Sequence, residues 1–153
     1  SGTGGVLAAD ACNEFGLRLA HLSDASLKKL KEIVPSWAEV KNPVDVGRVV
    51  DPEIIGRAYP MVLEAFLDDP NVDAILVMAM TVSTQPEFSA FDVLREFAES
   101  DLRKPIVVTG LRDAEGLKEL ATLEMKGIVA FSTVRRAVKA LAVAYSRHRF
   151  LNQ

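Results

Sequence analysis

The sequence predicts an α/β domain built on a parallel sheet with helices over both faces. Three observations carry that prediction. Two runs, Ala74–Met80 and Pro105–Thr109, are nearly continuously apolar, the pattern of strands buried on both sides. Segments with apolar residues at helical spacing stand around and between them. The chain opens Ser1-Gly2-Thr3-Gly4-Gly5-Val6-Leu7-Ala8-Ala9-Asp10, a glycine-rich turn running into an alanine-rich helix former. Such a turn offers backbone N–H groups and the positive end of a helix dipole to an anion, most often phosphate.

Composition narrows the class. A chain of 153 residues, 49% of them apolar, has room for one domain with a real core. A net charge of −3 argues against nucleic acid as a partner, and apolar runs of strand length do not cross a membrane. No targeting segment is visible at the start. The single cysteine, Cys12, excludes an internal disulfide and a cysteine-based zinc cluster. A cytoplasmic protein fits these features.

Taken in order, Gly5–Phe15 reads as a helix ended by Gly16 in a left-handed C′ position. Val6, Ala9, Cys12 and Phe15 are expected to share its buried face, which makes Cys12 a packing residue. Leu17–Leu22 reads as a short strand. Ser23 and Asp24 offer a cap for a helix through Ile33, with Leu27, Leu30 and Ile33 inward and a lysine face outward. Pro35 ends that helix, and Trp37–Asn42 is loop or weak strand. Asp51-Pro52-Glu53 starts the next helix, in which Pro60 removes a hydrogen bond and should produce a bend. Asp68-Asp69-Pro70-Asn71 is a turn cluster before the Ala74–Met80 strand. A helix over Pro86–Glu99, the Pro105–Thr109 strand, a helix over Ala114–Met125, a strand over Gly127–Phe131 and a helix from Thr133 to about Arg147 follow. The last is amphipathic through Val134, Ala137, Val138, Leu141, Ala142 and Tyr145.

This alternation gives a flavodoxin-like three-layer αβα fold with a five-stranded parallel sheet, order 2-1-3-4-5. Its first strand is expected upstream of, or at, residue 1. Residues 1–153 read as a single domain, a fragment of a larger multidomain protein.

Familiar phosphate-binding chemistries fail on named residues. The third glycine of a dinucleotide fingerprint is replaced by Leu7, and no acidic residue ends the second strand unambiguously. A flavin site lacks aromatic residues in Thr81–Thr84 and Gly110–Asp113, and a phosphate-receiver site lacks an aspartate at Met80–Thr81. Val6-Leu7-Ala8 supplies no lysine for a Walker loop. His21 and His148 have no carboxylate partner in a recognisable motif. With neither a nucleophile–base pair nor a metal cluster, the domain alone reads as non-catalytic.

Five stretches in register nevertheless resemble one family: Gly4-Gly5-Val6-Leu7-Ala8-Ala9-Asp10, Asn42-Pro43-Val44-Asp45, Asp69–Val77, Lys104-Pro105-Ile106-Val107 and Arg136–Leu141. Together they resemble the C-terminal flavodoxin-like domain of NDP-forming (ADP-forming) acyl-CoA synthetases, in the succinyl-CoA synthetase-like superfamily. The resemblance covers essentially the whole chain. It implies part of an enzyme that joins acid, CoA and ATP to give acyl-CoA, ADP and phosphate, through an acyl phosphate and a phosphohistidine. It places the phosphohistidine, CoA and the nucleotide with Mg on other domains: a second flavodoxin-like domain, a Rossmann-like domain and an ATP-grasp domain. No cofactor is expected on this domain alone.

Carried onto this sequence, the resemblance assigns phosphoryl contacts to Gly2, Thr3, Gly4 and Gly5. Asn42 and Asp45 either shape the adjoining loop or contribute to the same site. The stretch Thr109-Gly110-Leu111-Arg112-Asp113 departs from the family's glycine-rich loop. The chain has no Ser-His-Thr-Gly phosphohistidine motif, so the covalent step belongs elsewhere. The alternative is a non-catalytic sensor module in a synthetase-like region fused to a protein acetyltransferase.

Overall fold

A computed structural model describes residues 2–36, 39–46, 52–79, 89–99, 103–110 and 114–152. Six helices and three strands occur among these residues, in the order α1 (Gly2–Glu14), α2 (Asp24–Ile33), α3 (Pro52–Asp68), β1 (Ile75–Met78), α4 (Ala90–Ala98), β2 (Ile106–Thr109), α5 (Ala114–Met125), β3 (Val129–Phe131) and α6 (Val134–Leu151). The strands form one parallel sheet in the order β1-β2-β3. These are the last three strands of the expected 2-1-3-4-5 order.

Strand alternation divides the core into two layers. The register places Ile75 opposite Ile106, Val77 opposite Val108, and Val108 opposite Ala130. That face packs on Leu63 and Leu67 of α3, Phe91 and Leu94 of α4, and Leu120 and Leu123 of α5. The opposite face carries Val107 and is covered by α6, whose Ala137 and Val138 are fully buried. Beyond α6 lies α1. The fold is α/β with helices on both sides of a parallel sheet.

Helix ends follow local chemistry. Ser23, Ser89 and Thr133 cap α2, α4 and α6, each hydroxyl accepting the N–H of the residue three positions on. The cap at Ser89 places the start of α4 four residues later than Pro86; residues 80–88 lie outside those described. Gly16 and Gly127 sit at φ +72° and +86° and terminate α1 and α5. Both stops are Schellman motifs: Leu17 N–H reaches Cys12 O at 2.8 Å, and Ile128 N–H reaches Leu123 O at 3.1 Å. Gly127 therefore ends α5, and β3 begins two residues later than the sequence suggests. α3 continues through Pro60 on both sides. The cap expected at Asp51 lies outside the described residues.

Two expectations need correction. Leu17–Leu22 is not a strand, because a strand exists only through ladder partners, and no described segment pairs with it. The stretch is tied down by side chains: Asn42 Nδ2 donates to Ala20 O at 3.1 Å and Asn71 Nδ2 to His21 O at 2.9 Å. Ala20 and Leu22 still pack on the core. The buried face of α1 is also different. It consists of Gly5, Ala8 and Ala11, whereas Val6 is 62% exposed. Small side chains allow α1 to approach its neighbours closely, and that steric gain outweighs the apolar spacing beginning at Val6. Cys12 is half-buried at the edge of this contact, where burial raises its thiol pKa.

The turn after α3 is a polar hub. The carboxylate of Asp69, 1% exposed, accepts the N–H groups of Ser23 and Asn71, both at 2.8 Å. Burial alone raises the pKa of Asp69, but hydrogen bonds from Ser26, Asn71 and Ser23 outweigh it and hold the value below the ordinary carboxylate range. Lys104 Nζ donates to Phe66 O at 3.1 Å and to Asp69 O, placing a cation at the negative end of the α3 dipole.

Candidate functional site

The candidate site is the first turn of α1 with the loop at 42–46 packed against it. In the structure the glycines belong to the helix itself, since α1 begins at Gly2. Gly2 and Thr3 are exposed, Gly4 is half-buried and Gly5 is buried. The first N–H groups of any α-helix lack intrahelical acceptors and point along its axis, so this end is a donor cluster with partial positive charge.

Two glycines allow the loop to approach. A Cβ on Gly5 would lie 3.2 Å from Pro43 Cβ, tighter than ordinary van der Waals contact. A Cβ on Gly2 would lie 3.5 Å from Asp45 Oδ2. The Asn42–Pro43 peptide is cis, and Asn42 anchors the loop through its bond to Ala20 O. Among the expected site residues, the structure therefore brings Gly2 together with Asp45, and Gly5 with the Asn42–Pro43 turn. Ser1 and the glycine-poor loop at 111–113 lie outside the described residues, while Gly110 packs beneath Ala79 O.

The electrostatics are mixed. α1 has no acidic residue of its own in its first turn, and Asp45 supplies a carboxylate there from the loop. A carboxylate near a helix N-terminus interacts favourably with the dipole. It also repels a second anion, so Asp45 opposes a further negative charge placed beside Gly2. Among the described residues, no group of three His, Cys, Asp or Glu side chains could hold a metal ion. His21 and His148 are both exposed: Asn71 reaches the His21 carbonyl, and Asn152 the His148 carbonyl and ring. The approach of Asp45 to Gly2 was not readable from local sequence, because it depends on tertiary packing.

A parallel sheet with helices on both sides, and a glycine-bearing helix start beside it, defines the class as an α/β domain. Within that class the chain belongs to the Ligase-CoA domain family, which it matches over residues 1–152. It is 34% identical over 144 residues to the Acetate–CoA ligase [ADP-forming] I subunit alpha of Pyrococcus furiosus, covering 92% of this chain and 30% of that protein. It is 33% identical over 143 residues to Acetate–CoA ligase [ADP-forming] I of Archaeoglobus fulgidus, covering 94% of this chain and 19% of that one. Among solved structures, the dinucleotide forming acetyl-coenzyme A synthetase 1 of Ca. Korarchaeum cryptofilum, in complex with phosphate and ADP, superposes with a TM-score of 0.77 at 25% identity. That match covers 97% of this chain and 32% of the synthetase chain. The chain thus spans a third or less of the length of these relatives.

Proposed function

We propose that this chain is the phosphoryl-site domain of an NDP-forming acyl-CoA synthetase. In this reading, phosphoryl transfer runs through a histidine on another domain, and the first turn of α1 receives the phosphoryl group that this histidine carries. CoA, ATP or ADP and Mg bind other domains of the full enzyme. The observation that supports the reading is the pairing of the Gly2–Gly5 turn with the Asn42–Asp45 loop. Two family-like stretches, distant in sequence, meet at one helix N-terminus. Backbone donors there would stabilise negative charge without any titrating side chain.

Amide chemical shifts of the chain titrated with phosphate and with sulfate test the site. The expected result is saturable shifts centred on Gly2, Thr3, Gly4 and Gly5. Shifts spread over the lysine-rich surface of α2, with none at α1, would refute the assignment. Removing the nearby carboxylate sharpens the test. Asp45→Asn should tighten phosphate binding several-fold, because a like charge within several ångströms of a bound anion is repulsive even in a well-screened surface environment. In the complete synthetase, Gly4→Leu should lower turnover strongly while the fold persists.

A further inference from the structure

A second surface, unrelated to the first turn of α1, lies where α6 crosses the outer strand of the sheet. β3 is last in the β1-β2-β3 order, and α6 runs along its face. Between them is an open groove of about 520 Å³ with an apolar floor of Phe131, Ala140, Val143 and Ala144. Its rim is basic: Arg136, Lys139 and Arg147. Val143 is 63% exposed, and Val129, two residues before Phe131 on the same side of β3, is 50% exposed.

Spacing and charge identify the occupant. Arg136, Ala140, Val143 and Arg147 recur at intervals of four, three and four residues. That is one continuous stripe along three turns of α6, about 17 Å long. Its centre, Ala140 and Val143, is apolar and its two ends are cationic, a spacing that matches one face of a second helix. The 18 residues of α6 include Arg135, Arg136, Lys139, Arg147 and Arg149 but no Asp or Glu, in a chain whose net charge is −3. Arg135 is committed to Glu14 of α1, and Lys139 lies near enough to the same carboxylate to help lower its pKa, whereas Arg136 forms no ion pair with a described residue. Positive charge is therefore segregated around an apolar strip on an otherwise acidic protein.

We infer that this groove docks an acidic amphipathic helix of another protein domain or subunit. The apolar residues of that helix lie on Val143, Ala140 and Phe131, and its carboxylates meet Arg136, Lys139 and Arg147. The floor distinguishes this partner from nucleic acid, whose phosphates gain nothing from Val143 and Phe131. The lack of acidic residues on α6 disfavours self-association through this face, which would set like charges together.

The test uses the 153-residue chain and two designed 18-residue helical peptides with identical leucine stripes, one flanked by glutamate and the other by lysine. Fluorescence anisotropy should show the glutamate peptide binding at least tenfold more tightly than the lysine peptide, with affinity falling as salt rises. Val143→Glu should weaken it at least tenfold, and the double variant Arg136→Glu, Arg147→Glu should reverse the preference between peptides. Both variants alter exposed positions, and unchanged thermal melting verifies the fold. Equal binding of the two peptides, or insensitivity to Val143→Glu, overturns the proposal. So does tighter binding of a single-stranded oligothymidylate than of the glutamate peptide. A dimer in sedimentation analysis that Val143→Glu dissociates would equally overturn it, by making a second copy the occupant.

Discussion

Asp69 shows how one side chain fixes several segments at once. It closes the turn after α3, accepts the first N–H of the α2 cap at Ser23, and shares its backbone carbonyl with Lys104. Asp69→Ala leaves two part-buried donors without acceptors and should lower unfolding free energy by about 2 kcal/mol, measurable by urea denaturation. The pH dependence has a definite sign. Because the folded-state pKa is depressed, the ionised carboxylate stabilises the fold above the unfolded-state value. That contribution disappears as pH falls through the folded value. A stability profile from neutral to acid pH should therefore be flatter in Asp69→Asn than in the parent chain. Lys104→Met removes a charged donor from two carbonyls at the end of α3 and should cost about 2 kcal/mol. Both residues stand in the family-like stretches. Their reasons for being there are structural: the bond of Asp69 to Asn71 is local turn chemistry, but their other partners lie 35 or more positions away, beyond the reach of turn propensity.

Elements divide by where their determining forces originate. The stop at Gly16 and the cap at Ser23 were legible because they are local and need only their own neighbours. The buried strands were legible because β1 and β2 are apolar on both sides. Leu17–Leu22 misled because a weakly alternating run becomes a strand only when a partner pairs with it. Val6 misled for a related reason: α1 docks through its smallest residues, so apolar spacing alone selects the wrong face. The same packing makes Gly5 intolerant of size. Gly5→Val should displace the Pro43 turn and destabilise the fold by about 1–3 kcal/mol. At the left-handed stops, Gly16→Ala and Gly127→Ala should each cost about 1 kcal/mol by the same denaturation measurement, without altering the structure elsewhere.

At the scale of the molecule, the two helical layers are held very differently. α3, α4 and α5 meet the sheet through large side chains such as Leu63, Phe91, Leu94 and Leu123. α1 rests mainly on α6, aided by the ion pair of Arg135 with Glu14 and the stacking of Arg135 over Phe15 at 5.0 Å. The candidate phosphoryl site is thus carried on a helix held chiefly by another helix, while the basic groove of α6 lies beside the sheet edge. Sequence reading reached the first site through its glycines. The groove itself depends on tertiary packing, which sets Phe131 of β3 beside the α6 cations.

The small-residue seam of α1 has a dynamic consequence. Gly5, Ala8 and Ala11 remove little apolar surface from water, so separation of α1 from α6 forfeits far less hydrophobic free energy than separation of α4 from the sheet. Native-state hydrogen exchange should therefore resolve α1 as an independent unit of low opening free energy, its amides exchanging well before those of β2. Uniform protection of α1 and β2 would contradict this hierarchy. Opening of α1 as such a unit would carry its glycine end with it while β1, β2 and β3 stay paired.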